Sequence, residues 1–310
     1  MNFSTENTPF PPAYLRLVET GELQQRVDEA YRRLERCEMC GVRCRVNRCA
    51  GKLGGCRTGE RAILAGSCAH DGEEAPISGT AGSGTVFFSG CNLRCQYCQN
   101  FEISTAQEGK PVEPEELAAV FLRLQAHGCH NINLVSPSHV IPMILAAVQI
   151  AAREGLRLPL VYNTGGYDSL DSLRLLDGVV DIYMPDMKYS NAVVARRYSK
   201  VIQYPKVNEE AVREMHRQVG DLVLDADGIA RRGLLVRHLV LPNGLAGTKE
   251  ITRFVVEEVS PNTYFNVMAQ YFPAFEAKLY PSLNRRVTPQ EFAEAVETAR
   301  AAGLTRIHQE

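Results

Sequence analysis

Thr85-Val86-Phe87-Phe88-Ser89-Gly90-Cys91-Asn92-Leu93-Arg94-Cys95-Gln96-Tyr97-Cys98-Gln99-Asn100 is the stretch on which the reading of this 310-residue chain turns. An apolar run of strand length ends at Gly90 and leads straight into a loop with three thiols spaced C-x3-C-x2-C. Thiolates are the soft ligands that iron–sulfur centres select, and three on one short loop can wrap three corners of a cubic [4Fe–4S] cluster. The fourth iron is then left free to bind a small molecule. Zinc ordinarily takes four closed ligands from paired C-x2-C or C/H units, and this loop alone is one short.

With Tyr97 at its aromatic position, the loop resembles the C-x3-C-x-aromatic-C signature of the radical S-adenosylmethionine (radical SAM) enzymes. The resemblance implies that Cys91, Cys95 and Cys98 hold a [4Fe–4S] cluster and that Tyr97 packs near the adenine of S-adenosylmethionine (SAM). In that family the unique iron chelates SAM's methionine part, and an electron from the reduced cluster releases a 5′-deoxyadenosyl radical. Read as thiols alone, the three fit a zinc knuckle or unrelated buried cysteines instead.

Composition narrows the class. Hydrophobic residues make up 45% of the chain and charged ones 23%, the proportions of an ordinary globular protein. The length admits one large α/β domain with an appendage, or two domains. A net charge of −2 supplies no basic field for nucleic acid, and no apolar run is long enough to span a bilayer. Met1-Asn2-Phe3-Ser4-Thr5-Glu6 has neither a cationic head nor an apolar core, so no secretory signal is expected. Ten cysteines in such a chain favour metal binding over disulfides and point to a reducing cytoplasm.

Residues 1–12 read as an extended, Pro-rich lead-in, and 13–36 as two short helices parted at Gly21. Cys37, Cys40, Cys44 and Cys56 follow as C-x2-C-x3-C-x11-C, a full four-thiolate set for a structural zinc or a second iron–sulfur cluster, with Cys49 a fifth thiol. Gly51, Gly54 and Gly55 let the backbone turn there. This stretch resembles the cysteine-rich N-terminal element of a radical SAM branch similar to the pyruvate-formate-lyase-activating enzymes. Reduced thiols in a small Gly-rich lobe are the alternative. From His70 to Gly84 the chain is acidic and Gly-rich and reads as a solvated connector, with no role for His70, Glu73 or Glu74. The expected division is a helical, cysteine-rich metal-binding region at 1–80 and a catalytic domain at 81–310.

From Thr85 onward, short apolar strands alternate with helical patterns. Strands are expected at 85–89, 131–135, 158–162, 179–184, 234–241 and 263–268, and helices near 113–127, 141–154, 169–176, 248–258 and 289–302. This alternation argues a parallel sheet covered by helices, here a partial (β/α)6 TIM-like barrel. Chemistry in such barrels sits on loops after the strands, where the three thiols fall. An insertion at 207–232, a helix and an Asp-Gly hairpin, is expected to cover the barrel mouth.

The remaining candidates are read from strand ends. Ser136-Pro137-Ser138-His139 stands where relatives often carry a Gly-Gly-Glu-like segment that binds SAM's amino group. Ser136 is taken as a SAM contact, and His139 as a substrate or catalytic group or a helix cap. Asn163-Thr164-Gly165-Gly166 and Met184-Pro185-Asp186-Met187-Lys188 resemble the Asp-Thr-Asn-Gly and Leu-Asp-Leu-Lys segments of glycyl-radical-enzyme activases. That resemblance implies that Asn163, Thr164, Asp186 and Lys188 bind SAM's carboxylate and a monovalent cation. A buried Asp186–Lys188 network is the structural alternative. Arg237 interrupts an apolar strand and must find a partner, expected to be SAM or substrate. Tyr271 stands where relatives place an adenine contact, while Cys129, His130 and His238 read as structural.

Together these expectations describe a radical SAM enzyme reduced by a one-electron donor such as a flavodoxin or ferredoxin. Its substrate is either a glycyl-radical enzyme, which it activates, or a small molecule or peptide. The rival from another class is a non-catalytic zinc scaffold.

Overall fold

The structure, a computed structural model, describes residues 10–106 and 108–309. Of the expected lead-in, residues 1–9 lie outside this range. Ten strands build one sheet: β1 (Ala62–His70), β2 (Ser83–Phe88), β3 (Lys110–Val112), β4 (Ile132–Val135), β5 (Leu160–Thr164), β6 (Ile182–Pro185), β7 (Val223–Leu224), β8 (Ala230–Leu239), β9 (Tyr264–Met268) and β10 (Arg306–Gln309). Their order is β10-β9-β8-β6-β5-β4-β2-β1-β3, with β7 pairing β8 from the side.

From β2 through β10 the ladder along this path is parallel, whereas β1 runs antiparallel to both β2 and β3. The six expected strands are all in the parallel set, and β10 adds a seventh. The sheet is open and ends at β3 and β10, a partial barrel. Residues such as Val86, Ile132, Leu134, Leu160, Tyr162, Ile182 and Met184 are buried, because helices and the barrel interior cover both faces of the parallel strands.

Among the described residues the helices are α1 (Tyr14–Glu19), α2 (Glu22–Arg32), α3 (Ala75–Ser78), α4 (Phe101–Ser104), α5 (Pro114–Ala126), α6 (Ile141–Arg153), α7 (Leu170–Leu176), α8 (Ala192–Ser199), α9 (Tyr204–Val219), α10 (Thr248–Phe254) and α11 (Pro289–Ala301). Local chemistry explains their starts. Glu113 and Glu116 make a capping box ahead of Pro114, Thr288 and Glu291 make another ahead of Pro289, and Asn191 caps α8. Gly21 does separate α1 from α2, in the left-handed conformation that glycine reaches without strain.

Three expectations are corrected here. The stretch read as a solvated connector is not one: it follows β1, and Glu74 and Ile77 are fully buried. Its acidic residues read as solvated because their partner, Arg237, lies far away in the sequence. The insertion does not cover the mouth. Its α9 packs along α7 and β6, and its hairpin meets the opposite end, where Gly233 N–H bonds the carbonyl of Asp181. Finally, the sheet runs across residue 80, and the first two helices pack under the barrel rather than apart from it. Tyr14 donates to the carbonyl of Leu158 (3.0 Å), Ala13 N–H to Asp181 (2.8 Å), and Gln149 to Gln24 (2.7 Å).

Candidate active site

The turn leaving β2 holds the three thiols at the C-terminal edge of the parallel sheet, on the wall of a cavity of about 430 Å³. This loop is fixed by α8, a helix that the sequence pattern did not reveal. Arg94 N–H donates to the carbonyl of Ser199 (3.1 Å) and Gln96 N–H to that of Tyr198 (2.7 Å). Each sulfur has a polar neighbour: Leu93 N–H at Cys91 (3.4 Å), the Ser199 hydroxyl at Cys95 (3.0 Å) and the Ser104 hydroxyl at Cys98 (3.2 Å). Burial pushes the Cys91 thiol up to about 12, and the neighbouring Cys95 adds to it. Burial likewise takes Cys95 up to about 11, against the pull of the Lys188 ammonium. As neutral thiols they are comfortable here; as thiolates they need a cation.

The ends of β4, β5, β6 and β8 bring the other candidates to the same cavity. Ser136, Asn163, Thr164, Asp186, Lys188 and Arg237 line it with Tyr97 and the three cysteines. Lys188 and Asp186 form an ion pair of 2.5 Å. Burial works against the ammonium, but Asp186 and then Cys95 outweigh it and hold its pKa above the ordinary value. Thr164 donates to buried Asp168 (2.7 Å), which fixes its side chain. Ser136 holds a left-handed backbone (φ 57°), uncommon for a non-glycine residue and concentrated at functional sites. Tyr97 stacks edge-on to Tyr271 (5.6 Å between centroids), and its oxygen accepts from Tyr189 (2.7 Å).

Two of the candidates read from strand ends fall outside the cavity. His139 is buried behind the loop, with Nε2 against the carbonyl of Ser89 (2.9 Å), and burial lowers its pKa to about 4. It supports the loop from behind rather than meeting a ligand. Tyr271 is also fully packed and donates to the carbonyl of Leu283 (2.7 Å); its neighbour Gln270 lines the cavity in its place.

Arg237 does reach the cavity, but its partners are carboxylates that the sequence reading set aside. It pairs with Glu74 (3.0 Å) and Glu73 (3.3 Å), and Glu73 and His70 share the lining. Burial raises the pKa of Glu73, partly offset by Arg237. The lone Arg in an apolar strand was the signal for this pair, since a buried charge requires one. Ser199 had no comparable signal, because its partner Cys95 lies over one hundred residues away.

The N-terminal cysteines sit outside the cavity, in irregular backbone between α2 and β1. As they stand, no group of three or more His, Cys, Asp or Glu side chains among the described residues is arranged to hold a metal ion. No helix among these residues is long and apolar enough to cross a membrane.

Residues 85–229 match the family model of the Radical SAM superfamily, so this part of the chain is a domain of that superfamily. It is 32% identical over 302 residues to the uncharacterized protein MJ0674 of Methanocaldococcus jannaschii, spanning 95% of this chain and 83% of that one. Among solved structures, a radical SAM methyltransferase from Sphaerobacter thermophilus superposes with a TM-score of 0.50 at 16% identity, over 73% of this chain and 65% of that one. SuiB of Streptococcus suis bound to S-adenosylmethionine gives 0.49 at 10% identity, over 71% and 48%. The chain thus spans about two thirds and about half of those two chains, and at such identities the likeness shows the fold alone.

The family implies a [4Fe–4S] cluster and SAM. The donor set fits the cluster: three half-buried cysteines, each sulfur with a hydrogen-bonding neighbour, line a cavity that also presents an ammonium. It leaves one corner for SAM.

Proposed function

We propose that this radical SAM enzyme abstracts a hydrogen atom from a substrate entering the cavity between the cysteine loop and the Glu73–Arg237 wall. One observation carries the reading: Cys91, Cys95 and Cys98 share a cavity with Lys188 and with a charged wall that the cluster does not need. When bound, a reduced cluster with SAM supplies one-electron cleavage of the sulfonium and a hydrogen-abstracting carbon radical. The protein's own part is binding and orientation. Leu93, Ser199 and Ser104 hydrogen-bond the three sulfurs, and such bonds tune a cluster's potential. Lys188 presents a point charge suited to SAM's carboxylate, with Ser136, Asn163 and Thr164 along the same edge. Asp186, a hard oxygen donor, takes the monovalent cation in this reading once Lys188 turns to SAM.

Two substrates fit the reading. The likeness of the 163–166 and 184–188 segments to the activases supports a glycyl-radical enzyme as partner. The wall supports a small polar molecule or a peptide. Behind it, Glu74 Oε2, Asn133 Oδ1 and Asn266 Oδ1 are buried without a hydrogen-bond partner among the described residues. They are sealed from the cavity, so it is Glu73, which lines it, that favours a substrate bringing N–H donors.

Anaerobically reconstituted protein, given SAM with dithionite or a flavodoxin or ferredoxin, is expected to form 5′-deoxyadenosine. Cys98→Ala is expected to form none. A wild-type protein with a full cluster and no product would remove the reading. A glycyl-radical electron resonance signal on an added partner selects the first substrate class.

A further inference from the structure

Outside the cavity, the strongest unassigned feature is the packing of Cys37, Cys40, Cys44 and Cys56. The sulfur of Cys44 stands 3.9 Å from the carbonyl of Cys37, and the turn that Arg43 N–H closes on the carbonyl of Cys40 (3.0 Å) folds the segment between them back on itself. Gly54 sits among them. A Cβ there would stand 3.1 Å from the sulfur of Cys56 and 3.5 Å from that of Cys44, so the glycine leaves open the space that both sulfurs face. Cys49, the fifth thiol, is exposed and points back to the carbonyl of Tyr31. Arg43 and Arg45 on either side of Cys44, and Arg57 after Cys56, all have left-handed backbone, a strain that needs the surroundings to hold it.

Charge gives the decisive argument. Arg48 is fully buried, and its guanidinium meets the carbonyls of Gly59 (2.8 and 2.6 Å) and His139 (2.8 Å) and the sulfur of Cys37 (3.7 Å). None of these hydrogen-bond partners is a carboxylate. A guanidinium cannot shed its proton, and a buried charge without a counter-charge is costly. An anionic metal–thiolate centre at Cys37 supplies that counter-charge.

The same lobe is joined to the catalytic loop by close backbone packing and by side-chain hydrogen bonds to backbone carbonyls. A Cβ on Gly90 would lie 2.6 Å from the carbonyl of Cys56, one residue before Cys91. Arg94 donates to the carbonyl of Gly55 (3.0 Å). Asn92 and the N–H of Gly41 both bond the carbonyl of Tyr167 (2.8 and 3.0 Å), tying the residue after Cys40 to the residue after Cys91.

We propose that Cys37, Cys40, Cys44 and Cys56 form a second, four-thiolate centre for a thiophilic metal, countered by Arg48, whose loading braces the Cys91–Cys98 loop. Zinc and an iron–sulfur cluster share this ligand chemistry. The side chains rotate inward on binding, since they are not gathered around an ion as they stand.

The test uses the full chain with Cys91, Cys95 and Cys98 all changed to Ala, so a failure of the proposed reaction cannot affect it. This variant is reconstituted anaerobically with zinc in one arm and with iron and sulfide in the other. One arm is expected to load to stoichiometry, about one zinc or about four irons per chain, with a first shell of about four sulfurs by X-ray absorption. Adding Cys49→Ala is expected to leave loading intact, and adding Cys40→Ala with Cys56→Ala to abolish it. Amide exchange across residues 90–98 is expected to slow when the metal is added. No stoichiometric metal in either arm, or a shell with nitrogen or oxygen ligands, would overturn the site even if the double variant misfolds. Unchanged exchange on loading would overturn the bracing.

Discussion

Lys188 concentrates the charge logic of the site, since it is paired with Asp186 at 2.5 Å and feels Cys95 and Cys98. Lys188→Met keeps an apolar stem and removes the donors. If the ammonium binds SAM's carboxylate, the loss is about 1.5–3 kcal/mol, so Kd for SAM rises about 10- to 100-fold. Titration of cluster-loaded protein with SAM measures this, and an unchanged Kd would leave Lys188 a partner of Asp186 alone. Tyr271 gives the opposite expectation. Its hydroxyl serves only the carbonyl of Leu283 among the described residues, so Tyr271→Phe is expected to cost about 1 kcal/mol of stability. SAM affinity should not change. A large loss of affinity would restore the adenine role that the sequence position suggested.

At the scale of elements, the loops after β5 and β6 are held by α9, which reaches them through Tyr204 and Asn208. Asn208 donates to the carbonyls of Gly166 (3.0 Å) and Asp186 (2.9 Å), and Tyr204 donates to that of Gly165 (2.8 Å). Gly166 has φ 72°, and a Cβ there would collide with Asn208 and with the carbonyl of Asp186. Gly166→Ala is therefore expected to cost about 1–3 kcal/mol and to displace Asp186. Urea unfolding together with SAM affinity checks both effects, and an undisturbed SAM site would mean that α9 does not set it. Local pattern made much of this level legible. β2, β4, β5 and β6 are short, mostly buried and largely apolar, and α5 and α11 begin with Pro at the first helical position, α6 with Pro at the second. Partnership across the chain was not legible. The holding of Cys95 by α8, of Arg237 by Glu73 and Glu74, and of the β5 loop by α9 joins residues far apart in sequence. No period in the sequence encodes such pairs.

Across the whole molecule, buried titratable groups set opposing dependences of stability on pH. His139 and His238 are kept neutral, with burial lowering each from 6.5 to about 4. As pH falls from about 6.5 to 4, the unfolded chain takes up protons that the folded one refuses, so stability drops. Asp181 lies under the barrel, accepting N–H bonds from Ala13 and Leu160, and burial raises it from 3.8 to about 7. Here the folded chain keeps a proton that the unfolded chain releases. This contribution is full below about pH 4, declines as pH rises and is lost above about 7. Between pH 4 and 6.5 the two histidines push stability up with pH and Asp181 pushes it down, as do Asp168 and Glu73, whose carboxyls burial likewise raises. Asp181→Asn removes one of the declining contributions, so the variant should gain on wild type as pH rises, although its amide can accept just one of the two N–H bonds. The urea midpoints of wild type and variant, taken from pH 4.5 to 7.5, should therefore converge as pH rises. Parallel curves would mean that Asp181 is ionised in the folded protein throughout this range, and that the N-terminal helices dock on a charged rather than a protonated carboxyl.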